Sequence, residues 1–307
     1  MTKESLRIVF MGTPEFAVPS LKALVDHGFE VVGVITAPDK PAGRGQQIRF
    51  SAVKEYALSE KLTILQPTNL KDEGFLTQLR DLNANLQVVV AFRMLPEVVW
   101  NMPKLGTFNL HGSLLPNYRG AAPINWAIMN GEKETGCTTF FLQHEIDTGD
   151  IILQLREPIM PDDNVGTLYE RLMHKGARLV AETATKIANG EVRTTPQDET
   201  IPRNDAPKIH KETCKIDWNK NVEDVHNFIR GLSPYPAAWC ELGSKTAKIF
   251  KSSIVDSTCD HQIGAIISDN KTHVHFQTAS GLLAIEELQV QGKKRMDTES
   301  FLRGNTI

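Results

Sequence analysis

From Leu6 to Leu110 the apolar positions fall into short runs separated by longer polar or amphipathic stretches. Leu6–Met11 is apolar apart from Arg7, and Val31–Ile35, Leu62–Leu65, Leu86–Phe92 and Thr107–Leu110 repeat the pattern. Between the first two runs, Phe16–Asp26 carries apolar residues at helical spacing, with Gly28 beyond it as a stop. Strands covered on both faces need continuous apolar runs rather than alternation. Such runs alternating with helices predict an α/β fold on a doubly wound, mostly parallel, Rossmann-like sheet. One interval breaks the rhythm. Pro38-Asp-Lys-Pro-Ala-Gly-Arg-Gly-Gln-Gln47 is rich in Pro, Gly and basic residues and has no apolar anchor. It reads as a long mobile loop, of the kind that is often functional inside a compact domain.

Further along, Ala122–Asn130 reads as a helix, Thr138–Leu142 and Ile151–Leu155 as strands around the turn Asp147-Thr-Gly-Asp150, and Val165–Asn189 as a long helix stopped by Gly190. Residues 191–209 hold Pro196, Pro202 and Pro207 among many polar side chains and read as an interdomain linker. One helix, Val222–Leu232, follows. After it come the short β-like segments Ala238–Leu242, Ala247–Phe250, Ile263–Ile267, His273–Phe276 and Leu282–Val290. Short strands at close spacing suit a small, OB-like β-barrel. The sequence thus divides into a first domain over 1–190, a linker over 191–209 and a C-terminal β domain over 210–307.

The length of 307 residues agrees with two domains at ~150 residues each. No apolar run reaches the ~18 residues that a membrane span requires. The first apolar stretch is broken by Gly12, Thr13 and Pro14, which is wrong for a signal peptide. Cys137, Cys214, Cys240 and Cys259 form no CxxC pair, so reduced thiols in a cytoplasmic protein are the simple reading. The formal net charge is −3, which excludes a globally basic nucleic-acid binder. A polyanion would have to be held by local clusters: Lys40 with Arg44 and Arg49, Lys208 with Lys211, Lys215 and Lys220, and Lys293-Lys-Arg295. Taken singly, each cluster is equally an ordinary solvated face.

The stretch with chemical content runs from Phe108 to Asp150. Asn109 and His111 stand two residues apart at the end of a predicted strand, so their side chains share a face. They project where an open parallel sheet binds ligands, at the carboxyl ends of its strands. Asp147 lies in a polar turn that the fold could bring to the same crevice. An amide that stabilises an oxyanion, an imidazole that exchanges protons near neutral pH and a carboxylate that orients it or relays through water suit acyl transfer. The bland alternatives are a structural histidine, a capping asparagine and a turn-forming aspartate.

Asn109-x-His111, followed by Ser113-Leu-Leu-Pro116 and later Asp147, resembles the signature of the folate-dependent formyltransferases. Three further stretches resemble the branch that acts on methionyl-tRNA: Met11-Gly-Thr-Pro-Glu-Phe16, Thr36-Ala-Pro-Asp-Lys-Pro-Ala-Gly-Arg-Gly45 and His111-Gly-Ser-Leu-Leu-Pro-Asn-Tyr-Arg-Gly-Ala-Ala-Pro-Ile124. The likeness continues through Gln197-Asp-Glu-Thr200 and Ile216-Asp-Trp218 and so covers nearly the whole chain. It implies Asn109, His111 and Asp147 as the catalytic trio and 10-formyltetrahydrofolate as donor. Ser113, Leu114, Leu115 and Pro116 would shape the folate pocket, with the pterin between Val89–Pro96 and Leu142–Asp147. The basic loop with Lys40 and Arg44 would meet the acceptor end of methionyl initiator tRNA, and the C-terminal domain would help bind the tRNA. Neither a metal nor a nucleotide cofactor is implied, and a monomer is the expected state. Phe16 would line the methionine pocket or merely anchor a helix start. In one place the sequence departs from the family pattern: Ala91-Phe-Arg-Met-Leu-Pro96 stands where relatives carry Ala-Tyr-Gly-x-Ile-Leu-Pro, one residue shorter and with Arg93 near the Gly position. Other readings share these residues: a formyltransferase of small amines such as amino sugars, a formyltetrahydrofolate hydrolase, and a non-catalytic tRNA binder of the same fold.

Overall fold

The computed structural model describes residues 6–42, 47–256 and 261–307, so Arg44 and Cys259 lie outside the described residues. The chain forms two compact units. The first takes in the chain through Arg119, then Gly136–Glu157 and Glu170–Asp205; the second takes Gly120–Thr135, Pro158–Tyr169 and Ala206–Ile307.

The strands up to residue 158 are β1 (Arg7–Gly12), β2 (Glu30–Ile35), β3 (Lys40–Ala42), β4 (Gln47–Arg49), β5 (Ile64–Leu65), β6 (Leu86–Val90), β7 (Thr107–His111), the two-residue β8 (Arg119–Gly120), β9 (Glu134–Phe141) and β10 (Ile151–Pro158). Seven of them form one sheet in the order β10-β9-β7-β6-β1-β2-β5. β1 pairs parallel with β2 and β6, β2 with β5, and β6 with β7, whereas β9 runs antiparallel to β7. The chain moves outward from β1 to β2 and β5, then returns to the other side of β1 for β6. This is the reversal of strand order expected of a doubly wound sheet. The apolar runs dictate it: all five residues of β6 and the last five of β1 are buried, because helices cover both faces. Helices α1 (Val18–Asp26), α2 (Ala52–Ser59), α3 (Glu73–Asp81) and α4 (Glu97–Trp100) fill the connections. Ser51 and Asp72 cap α2 and α3 by accepting from the backbone N–H groups of Lys54 and Phe75.

The Pro38–Gln47 segment is not wholly a loop, as its composition led us to expect. β3 pairs antiparallel with β4, Lys40 standing opposite Arg49. Polar contacts gather at the root of this pair. Lys54 Nζ lies 2.5 Å from Asp39 Oδ2 and 2.8 Å from Gln66 Oε1, while Gln66 Nε2 donates to Ala37 O and Asp39 Oδ1. The hydrogen bonds from Gln66 and Lys54 hold the Asp39 carboxyl below its ordinary range.

After α5 (Pro123–Met129), the 25-residue α6 (Val165–Asn189) begins at a reciprocal cap. Asn164 Oδ1 accepts from Thr167 N, and Asn164 N donates to Thr167 Oγ1. Gly190, at φ +71°, ends the helix in the left-handed conformation that suits glycine. In the first unit α6 lies close against β7. A Cβ on Gly176 would sit 2.8 Å from Leu110 Cδ2, so a side chain there would push Leu110 from its place.

In the second unit, β11 (Asp205–Ala206) leads to α7 (Val222–Leu232), capped by Asn221 and burying Val225, Ile229 and Leu232 at helical spacing. Strands β12 (Ala238–Leu242), β13 (Lys245–Val255), β14 (Ile266–Ser268), β15 (Val274–Gln277) and β16 (Leu282–Val290) form an antiparallel sheet in the order β12-β13-β16-β15-β14. β17 (Met296–Asp297) is paired on β16, and α8 (Thr298–Leu302) ends the fold. Register shifts between Ile249 and Ser252 bend the long β13 against β16. Among the described residues the pairing path stays open, so the small β-barrel expected from the strand spacing is a curled half-barrel. Trp218 stacks on Phe276 at 4.2 Å within its core.

Gly136 in β9 leaves no room for a side chain, since an added Cβ would stand 1.9 Å from Leu155 O on the neighbouring β10. Gly136→Ala is expected to lower stability by about 2–4 kcal/mol, seen as a fall in the urea midpoint with an unchanged slope.

Candidate active site

β7 supplies the first two residues. It runs between β6 and β9, with Asn109 opposite Val89 on one side and Phe140 on the other. Phe108 and Leu110 are buried, and the strand's alternation turns Asn109 and His111 to the opposite face. Asn109 is half-buried. Among the described residues its side-chain amide has no hydrogen-bonded partner.

His111 is buried, and an edge of its ring environment is Phe140, centroid to centroid 6.5 Å at 83°. Its Nε2 lies 2.8 Å from the backbone oxygen of Tyr118. A carbonyl only accepts, so Nε2 carries the hydrogen and the proton-active nitrogen of the neutral ring is Nδ1. That atom faces Asp147, with Oδ2 at 3.8 Å. The separation is longer than a hydrogen bond. It suits an ion pair when the ring is protonated, or a relay through a group placed between the two.

Asp147 stands in the left-handed region at φ +56°, a conformation that costs a non-glycine residue ~1–3 kcal/mol and persists only where the surroundings enforce it. Two features enforce it. Gly149 packs so tightly that an added Cβ would lie 1.7 Å from Phe141 O. Gln197 Nε2 donates to both Asp147 O and Gly149 O at 2.9 Å. Gln197 Oε1 in turn accepts from Arg119 Nε at 3.1 Å and Nη2 at 2.6 Å. Arg119 also pairs with Glu199 at 2.6 Å and holds its carboxyl below the ordinary range, with help from Arg203. Tyr118, Arg119, Gly149 and Gln197 were not singled out as site residues by spacing. A polar residue in a proline-rich stretch gives no periodic signal of where it reaches.

The Ser113–Pro116 segment is a closed turn. Ser113 Oγ donates to Asn117 O at 2.7 Å, Thr138 Oγ1 donates to Ser113 O at 2.7 Å, and Leu115 N donates to Thr138 Oγ1 at 3.1 Å. Gln154 Nε2 completes it by donating to Leu115 O and Thr138 Oγ1. Ser113 and Leu115 are buried and serve the turn itself, while Leu114 and Pro116 remain half-exposed.

At the end of β6 the chain turns at Ala91, φ +48°. Phe92, Leu95 and Leu142 are half-buried against one core cluster. Arg93, the departure from the family pattern, has a local structural role: its guanidinium donates to Thr68 O at 2.9 Å and Pro67 O at 2.5 Å, tying the strand end to the loop after β5. Phe16 is buried in the turn that leads into α1, the placement of an anchor for the helix start. Lys40 is exposed on β3.

The sequence profile described as Formyl transferase matches residues 6–184, and that described as Formyl transferase, C-terminal domain matches residues 208–306. A methionyl-tRNA formyltransferase of Bacteroides fragilis is 56% identical over 312 aligned positions, covering 99% of this chain and 96% of that protein. Among solved structures, an N-formyltransferase from Helicobacter canadensis in complex with folinic acid and dTDP-3-aminofucose superposes with a TM-score of 0.67 at 20% identity, over 91% of this chain and 98% of that one. HypX from Aquifex aeolicus in complex with tetrahydrofolic acid superposes with a TM-score of 0.64 at 18% identity, over 97% of this chain and 47% of that one. At these identities the two structures speak to the fold alone.

The packing at Gly149 makes the position of Asp147 testable without touching a polar group. Gly149→Ala should displace the loop and lower turnover on the order of 10²-fold, while the far-UV circular dichroism of the variant matches the parent at the assay temperature.

Proposed function

The chain belongs to the formyl transferase family, and we propose on that premise that it moves a formyl group from 10-formyltetrahydrofolate to the α-amino group of methionyl initiator tRNA. The observation that carries the chemistry is the arrangement of His111, with Nε2 tied to Tyr118 O and Nδ1 facing Asp147, on the same strand face as the amide of Asn109. The tRNA substrate is supported by full-length identity to a methionyl-tRNA formyltransferase, and the folate donor by neighbours of the same fold that hold folates.

The reaction is direct attack of the neutral amine on the formyl carbon. Asn109 donates to the formyl oxygen as it gains negative charge, and His111, protonated at Nδ1, donates to the same atom. With Nε2 committed to Tyr118, only Nδ1 is free for this role. Asp147 holds the charged ring and accepts the proton that the attacking amine sheds, through water. That proton goes to N10 as the C–N10 bond breaks, leaving formylmethionyl-tRNA and tetrahydrofolate. The pterin lies against the wall of Phe92, Leu95 and Leu142, and the turn at Ser113–Pro116 shapes its pocket through the backbone. Ser113 is no nucleophile here, since its hydroxyl is spent on Asn117 O.

The tRNA acceptor end meets the β3–β4 segment, where Lys40 stands opposite Arg49 and Arg44 adds a third cation in sequence. The C-terminal half-barrel, with Lys208, Lys211, Lys215 and Lys220 leading into it, supplies the second tRNA surface. The enzyme is a cytoplasmic monomer in this reading, and no helix among the described residues is long and apolar enough to cross a membrane.

Purified protein given 10-formyltetrahydrofolate and methionyl initiator tRNA should produce formylmethionyl-tRNA. Asn109→Ala should lower turnover ~10²–10³-fold, and His111→Ala should abolish product. Release of tetrahydrofolate without formylmethionine would point to hydrolysis, and inertness towards the tRNA with turnover of an amino sugar would point to a small-amine enzyme. Lys40→Ala should weaken tRNA binding and flatten the slope of log affinity against log salt by about 0.7–0.9, the share of one phosphate contact.

A further inference from the structure

The stretch that reads as a linker does not leave the first unit at once. Thr195 exchanges backbone hydrogen bonds with Ile151, Thr194 Oγ1 reaches Asp150, and Asn204 O accepts from Tyr118 N at 2.7 Å. Between these contacts Gln197 is buried at 8% exposure and Arg119 at 9%. Every hydrogen-bonding atom of the Gln197 amide is used: both hydrogens on the carbonyls of Asp147 and Gly149, and the oxygen on the guanidinium of Arg119. This pairing fixes the orientation of the amide, because only its nitrogen can face two carbonyls and only its oxygen can face an arginine.

We propose that Gln197 and Arg119 are positioning residues for the transfer reaction, holding the Asp147 carboxylate at the reacting nitrogen of His111. The two carbonyls that Gln197 grips bracket Thr148 and belong to the loop whose first residue is the strained Asp147. Released from them, that loop loses two of the hydrogen bonds that hold its left-handed aspartate. The other side of the imidazole is referenced to the same point in the chain. Tyr118, whose oxygen fixes Nε2, directly precedes Arg119, whose guanidinium fixes Gln197. One dipeptide therefore anchors both the ring and its carboxylate, and a shift of the guanidinium moves one partner relative to the other. Glu199, pairing with Arg119 from the outside, steadies the guanidinium.

The proposal rests on the formyl-transfer reading of this site, and its test separates the two. Gln197→Met removes the hydrogen bonds at nearly constant length. Gln197→Glu still accepts from Arg119 but has no hydrogen for the two carbonyls. Each is made with Asp147 intact and in an Asp147→Asn background, and formylation kinetics are measured together with the ring resonances of His111. With Asp147 intact, both variants should lower kcat about 10–100-fold and leave KM for the folate and the tRNA within about twofold. In the Asp147→Asn background the further loss should be less than about twofold, because the group being positioned no longer functions. The His111 ring resonances should move towards those of Asp147→Asn. Unchanged kcat, losses that multiply in the double variants, or unmoved ring resonances would each overturn the proposal. Should the parent protein fail to formylate methionyl-tRNA, the functional reading falls, and the ring resonances still decide whether Gln197 positions the pair. Should Gln197→Glu not fold, Gln197→Met carries the same comparison.

Discussion

The register of β7 is the constraint on which the site depends. A strand alternates its side chains, so a slip of one residue against β6 or β9 would carry Asn109 and His111 to the face now held by Phe108 and Leu110. Several independent features prevent that slip. Phe108 and Leu110 are buried, and β7 is paired on both edges, parallel to β6 and antiparallel to β9. α6 closes down on Leu110 through the missing side chain of Gly176. Chemistry at this strand is therefore specified by apolar packing on its hidden face.

That division explains what could be read from the residues alone. The buried strands of the parallel sheet were legible because continuous apolar runs have few other uses, and Val165–Asn189 and Val222–Leu232 were legible from strong periodicity. The pair β3–β4 was not, because its order comes from Asp39, Lys54 and Gln66 at its root rather than from any pattern within it. The small β-barrel was legible from strand spacing, which reports the number of strands and not whether the last meets the first. Within the site, the shared face of Asn109 and His111 followed from the strand period. The free nitrogen of His111 did not, since it is set by a carbonyl at Tyr118 that no side-chain pattern encodes.

A chain with more acidic than basic residues must hold a polyanion by arrangement rather than by total charge. Many of its cations are already spoken for. Arg7 pairs with Glu30, Arg171 and Lys175 both grip the buried Glu157, and Arg295 grips Glu287. Lys54 is occupied with Asp39 and with the ring of Phe50. Lys54 offsets the charge of Asp39 at the root of β3–β4, where Lys40 stands opposite Arg49.

The path of residues 194–204 along the first unit bears on how such an enzyme can be taken apart. The long helix ends at Gly190, where sequence and shape alike invite a cut between exchangeable modules. A segment ending there would keep Asn109, His111 and Asp147 and still lack the amide that grips the Asp147 loop. Grafting this half onto a foreign partner would need to carry the chain through Asn204, which makes the apparent tether part of the cargo.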